Sequence, residues 1–72
     1  MSNLKWFFKP QEEIAQRLDK YISHRFIDQV VSKDNVFEKY MIETEEGLAI
    51  LLFQMRRVGY GNGYVIFEFK PN

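Results

Sequence analysis

The chain has no cysteine and a single histidine, His24. Disulfides are therefore excluded, and so are zinc sites built on cysteines or on clustered histidines. Proline is scarce at two residues and glycine at four, so no proline- or glycine-rich linker divides the chain. Ten Lys and Arg balance ten Asp and Glu. The basic excess of a typical nucleic-acid binder is missing, and so is the acidic excess of a nucleic-acid mimic. No apolar run approaches the roughly 20 residues of a membrane helix. The opening stretch "MSNLKWFFKPQEE" has neither the long apolar segment nor the small-residue cleavage site of a secretory signal. No membrane association and a cytoplasmic location are the expectations.

What the chain does have is apolar material. Hydrophobic residues make up 46% and aromatics 17%, with seven Phe, four Tyr and Trp6, which is enough for a core and argues against disorder. With 72 residues the expectation is one small domain, 1–72. Such a chain buries only about 60–65% of the surface its unfolded form exposes. Small folds usually compensate with disulfides, a metal or oligomerisation. Only oligomerisation stays open here, and a near-zero net charge offers it little opposition.

The periodicities predict an α+β fold: an N-terminal extended segment, one α-helix, then a four-stranded antiparallel β-meander. "NLKWFF" reads as an edge strand or a flap that lays Trp6, Phe7 and Phe8 on the core. A helix is expected over residues 10–24. Pro10 suits a first turn, and Ile14, Leu18, Tyr21 and Ile22 recur at helical spacing. Glu12 and Glu13 would stand at the positive end of its dipole, with Lys20, His24 and Arg25 at the negative end. Glu13 and Arg17, four apart, are in the favourable order for an ion pair. From Arg25 the period changes to two. "RFIDQVVSK" reads as a strand, "SKDN" as a turn and "VFEKYMIET" as a second strand. "EEG" suits a three-residue hairpin loop, and "LAILLFQMRRV" a third strand, with a helix as the rival reading of that apolar run.

The stretch "RRVGYGNGYVIFEFK", residues 56–70, completes the meander. An Asn62-Gly63 two-residue turn sets Arg57 opposite Glu68, Val58 opposite Phe67 and Tyr60 opposite Val65. Gly59 and Gly61 then lie opposite Ile66 and Tyr64. Counted through both hairpins, one face carries Tyr40, Ile42, Leu48, Ile50, Leu52, Val58, Tyr60, Val65, Phe67 and Phe69. The other carries Phe37, Met41, Ala49, Leu51, Phe53, Met55, Tyr64 and Ile66. A sheet with one wet side should alternate apolar with polar; this one is apolar on both. A single helix covers most of one face, so the second needs the segment around Trp6, another subunit or a partner.

Little in the chain suits chemistry. "GYGNG" lacks the strand–turn–helix setting and the Lys-Ser/Thr of a phosphate loop. "VGYGNGYVIF" is distantly similar to the RNP1 motif of RNA-recognition domains, with Asn62-Gly63 interrupting the pattern in what would be the last strand instead of the third. The physical content of that similarity is a set of candidate nucleic-acid contacts: Tyr60 and Tyr64 to stack bases, Arg56 and Arg57 to meet phosphates. Ser23 and His24 are helical neighbours that do not face each other. His24 would reach Asp19 or Asp28 without completing a catalytic set. Glu43, Glu45 and Glu46 gather at a turn, where solvated charge is commoner than a metal site.

The expectation is a non-enzymatic protein-interaction module of adaptor or inhibitor type. It needs no cofactor or metal and self-associates as a homodimer through an apolar sheet face, with a heterologous protein as a further partner. The residues assigned to that interface are Phe37, Met41, Leu51, Phe53, Met55, Tyr64 and Ile66; Met41 and Met55 would make the surface adaptable. A sheet-based single-stranded nucleic-acid binder is the alternative.

Overall fold

Pro10, Ile14 and Leu18 recur every fourth residue, and all three are buried along one stripe of a helix. In the computed structural model, which describes residues 4–70 and only the backbone of residues 4 and 5, that helix is α1, Phe8–Leu18. It lies on a four-stranded antiparallel sheet built from β1 (Ser23–Val31), β2 (Asn35–Thr44), β3 (Gly47–Arg57) and β4 (Tyr64–Phe69). The strands lie in meander order β1-β2-β3-β4. The apolar run after Gly47 is thus a strand, and the helical alternative for it falls.

The first segment differs from expectation. Leu4–Phe7 is a turn of 3-10 helix running directly into α1, not an extended flap; Asn3 lies outside the described residues. Pro10 still falls within the first turn, where backbone N–H groups have no intrahelical partner. Because the helix begins at Phe8, no acidic residue lies in its first turn. It also stops at Leu18, short of residue 24. Tyr21 N–H still bonds back to the Leu18 carbonyl, but Ile22 N–H already donates to the Glu43 carbonyl. Sheet pairing has taken over, so His24 and Arg25 belong to β1, while Arg17 in the last turn and Lys20 just past the Asp19 cap remain near the negative end of the dipole.

Both later hairpins correct the expected register, with opposite consequences. Thr44 pairs directly with Gly47 across a two-residue loop of Glu45 and Glu46; Gly47 does adopt a positive φ, +125°. One residue fewer in the loop turns all of β2 over relative to β3, because side chains alternate with a period of two. Between β3 and β4, Arg57 pairs with Tyr64 instead of Glu68, and residues 58–63 form a wide loop closed by Val58 N–H to the Gly63 carbonyl at 3.0 Å. A type I′ turn requires positive φ at both central residues. Asn62 does not adopt it; Gly59 and Gly61 do. The slip of four residues is even, so β3 and β4 keep their faces.

The helix-side face therefore carries Val36, Tyr40 and Ile42 from β2, Leu51, Phe53 and Met55 from β3, and Tyr64 and Ile66 from β4. Trp6 joins this cluster with Ile14 and Leu18. Glu13 and Arg17 form the expected pair at 2.7 Å. Arg17 also binds Glu68 at 3.1 Å, tying α1 to β4.

One carboxylate lies within the core. Glu38 accepts from the Tyr40 hydroxyl at 2.8 Å, from Gln29 Nε2 at 2.7 Å and from Gln11 Nε2, joining α1, β1 and β2. Burial first, and then the Glu38 carboxylate, push the Tyr40 hydroxyl well above the ordinary tyrosine value. The raised value means that the folded form favours the neutral phenol. The corresponding stability is complete below pH 10.0, the ordinary tyrosine value, and is lost as pH rises toward the folded one. Urea unfolding at stepped pH is expected to show a falling free energy above that point, flattened in Tyr40→Phe. An unchanged slope in that variant would remove the Tyr40 contribution.

A helix is about 10–12 Å across with its side chains, and strands are spaced about 4.8 Å apart, so α1 cannot roof four strands. Every residue of β1 is exposed. The radius of gyration is 12.8 Å, against about 11 Å for a compact domain of this length. The accessible surface is 5235 Å², against about 4,700 Å² for a typical monomer of this mass. Both excesses reflect a sheet that reaches beyond its cover.

Candidate functional site

The strand residues that point away from α1 form an extended apolar surface. Register places Met41 beside Ile50, Lys39 beside Leu52 beside Phe69, and Phe37 beside Gln54 beside Phe67. Val30 extends the last of these rows onto β1. Leu48 is 71% exposed, Phe67 44% and Phe69 47%, whereas Phe37, Met41, Ile50 and Leu52 are half-buried among their neighbours. Lys39, Glu43 and Arg56 are exposed around them. Trp6 is buried on the helix side, so the N-terminal aromatics leave this open face uncovered.

Of the seven residues assigned from sequence to one interface, the structure brings only Phe37 and Met41 to this face. Leu51, Phe53 and Met55 are 0% exposed in the core under α1, and Tyr64 and Ile66 pack half-buried against the same core. The single surface that was expected is thus divided between two sides of the sheet. The cause is the shorter β2–β3 loop, which inverts β2. The residues that join Phe37 and Met41 instead are Ile50, Leu52, Val65, Phe67 and Phe69. The sequence places these five together but opposite to Phe37 and Met41. Thr44 carries the one local signal of the shorter loop: its hydroxyl donates to the Gly47 carbonyl and accepts from Glu46 N–H.

The four candidate nucleic-acid residues do not share a face. Arg56 and Arg57 are consecutive in β3 and point to opposite sides of the sheet. Tyr64 is on the helix side, its hydroxyl donating to Glu13 Oε1 at 3.2 Å; burial first, then Glu13, push that hydroxyl upward. Tyr60 stands fully exposed in the 58–63 loop. Stacking bases on a sheet requires the aromatics on one surface, and these two are apart.

Nor do the candidates for catalysis converge. In β1, Ser23 and His24 point to opposite faces. Ser23 Oγ donates to Glu43 Oε1 at 3.0 Å, and His24 lies edge-on to the Tyr40 ring, centroids 6.2 Å apart. The surface depression between α1 and β4 is lined by Lys9, Glu12, Glu13, Gln16, Arg17 and Tyr64. Its Glu13, Arg17 and Tyr64 are already engaged with one another. Among the described residues, no three side chains of metal-ligating type come together, and no helix is long and apolar enough to cross a membrane. Comparison with protein-family models, with curated proteins and with solved structures found no match, so what can be said of function rests on this geometry.

Proposed function

We propose that the protein is a small non-enzymatic protein-interaction module, a homodimer in its working form, and that the open sheet face is where a protein partner docks. The observation that carries this reading is the exposure of Leu48, Val65, Phe67 and Phe69 around half-buried Met41, Ile50 and Leu52 on the side of the sheet opposite α1. Contiguous apolar patches of a few hundred Å² on a monomer commonly mark interaction sites. A centre of aliphatic and aromatic anchors with a charged rim has the anatomy of a protein interface. The cytoplasm is the proposed location, with which the cysteine-free chain is compatible.

Photo-crosslinking in cells tests the reading. A photoreactive side chain at Leu52 is expected to give discrete protein adducts, lost in Phe67→Lys. The same group at Gln16, on the outer side of α1, is expected to give none. Equal labelling from both positions would overturn the docking face. So would nucleic-acid adducts from Tyr60 whose binding falls steeply with salt, because phosphate contacts release counterions.

A further inference from the structure

Among the described residues, the outer edge of β1 has no covering element. Natural edge strands are kept short, or are blunted with charged side chains, proline, a bulge or a covering element; of these β1 has its charges and one bulge. β1 runs nine residues, "SHRFIDQVV", with no lysine or proline and all nine exposed. Phe26 is 52% exposed, Val30 55%, Val31 43% and Ile27 41%. The one irregularity is a bulge: Phe26 pairs with Tyr40 and Asp28 with Lys39, leaving Ile27 between them without a partner.

That bulge determines how the strand can pair with itself. In a regular strand, residues three apart point to opposite faces; across one inserted residue they point to the same face. Arg25 lies opposite Met41 and Asp28 opposite Lys39, both on the open side. His24 lies opposite Ile42 and Gln29 opposite Glu38, both on the helix side. We infer that β1 pairs antiparallel with β1 of a second copy, about a two-fold axis passing between Phe26 and Ile27. Arg25 of each copy then faces Asp28 of the other, giving two opposite-charge cross-strand pairs. His24 faces Gln29, Phe26 faces Ile27, and Ile22 faces Val31. Each facing pair outside the bulge keeps to one side of the sheet.

With the bulge counted as one position, the neighbouring registers that also respect the two faces set Arg25 opposite Val30 and Asp28 opposite Asp28, or Arg25 opposite Arg25 and Asp28 opposite Ser23. Neither gives an opposite-charge pair, and each sets one pair of like charges face to face. Among the described residues the ion pairs involve Arg17 and Lys20 with Glu13 and Glu68, so Arg25 and Asp28 are in no ion pair within their own chain. Asp28 Oδ1 accepts from the neighbouring Gln29 N–H at 2.8 Å, which leaves its other oxygen for a partner. Charge complementarity therefore selects one register and one occupant. The interface is isologous and closed, as in most homodimers. The result is one sheet ordered β4-β3-β2-β1-β1-β2-β3-β4, with both helices on one side and both open faces joined on the other. This deepens the homodimer part of the functional reading and is independent of what docks on the open face.

Sedimentation of the full chain at micromolar concentration tests it. The wild type is expected to be a dimer. Arg25→Asp or Asp28→Arg alone creates two like-charge contacts and is expected to weaken the dimer by about tenfold or more. The double reversal, Arg25→Asp with Asp28→Arg, is expected to restore it. Both positions are exposed, so circular dichroism should match the wild type. Amide exchange of β1 should slow as wild-type concentration rises and stay fast in either single variant. A wild-type monomer, a dimer indifferent to both single reversals, or a swap that restores nothing would each overturn the edge pairing. A dimer that resists the reversals but is split by Leu52→Lys would mean face-to-face association, leaving the homodimeric module standing without this edge.

Discussion

Phe53→Ala is expected to leave the chain unfolded or close to it under conditions where the wild type is native. Phe53 is the largest of the completely buried side chains, and it stacks edge-on against Tyr40, ring centroids 6.0 Å apart. Truncating a buried Phe to Ala costs about 3–5 kcal/mol, combining lost transfer energy with the cavity left behind. The total stability of a 72-residue domain is roughly 4–11 kcal/mol. Urea unfolding followed by Trp6 fluorescence and far-ultraviolet circular dichroism measures the loss. Phe67→Ala, on the open face at 44% exposure, is the control and is expected to cost about 1 kcal/mol or less. Equal losses from both variants would mean that the assignment of the two faces is wrong.

Removing the buried carboxylate should be the next most damaging change. Glu38 is 3% exposed and is the shared acceptor for Tyr40, Gln29 and Gln11. Glu38→Ala leaves the buried Tyr40 hydroxyl without its acceptor and opens a void, which together are expected to cost about 2–4 kcal/mol. Glu38→Gln is expected to cost less, about 1 kcal/mol. Its one amide oxygen can still accept from the two glutamines, and its NH₂ can donate to the Tyr40 oxygen. The order of the two variants in chemical denaturation is the diagnostic. If the alanine variant matched the wild type, the network would contribute nothing to stability.

The parts of the fold that were legible in the sequence rest on local rules. The stripe of Ile14 and Leu18, the alternation from Val36 onward and the turn chemistry between strands each follow from nearest neighbours along the chain. They suffice for one helix and four strands in meander order. The helix end was not legible, because Tyr21 and Ile22 continue the helical spacing. What stops the helix is the bond from Ile22 N–H to the Glu43 carbonyl, a contact with a residue far along the chain. The bulge at Ile27 was hidden for the same reason, since it exists only relative to β2.

The candidate surface was half legible. That the sheet would be apolar on both sides, with too little chain to cover both, followed from composition and alternation. Which residues lie on which side did not. The "ETEEGL" segment accommodates a two- or a three-residue loop, and the difference inverts every side chain of β2. Phe37 and Met41 thus go to the open face, while Leu51, Phe53 and Met55 go to the core.

Sequence alone therefore determined the element types, their order and the surplus of apolar surface, because these depend on periodicity and amount. Tertiary structure decided the register, the division of the faces and the bare edge of β1. Those depend on which backbone groups pair across distance, and a shift of a single residue reverses their outcome.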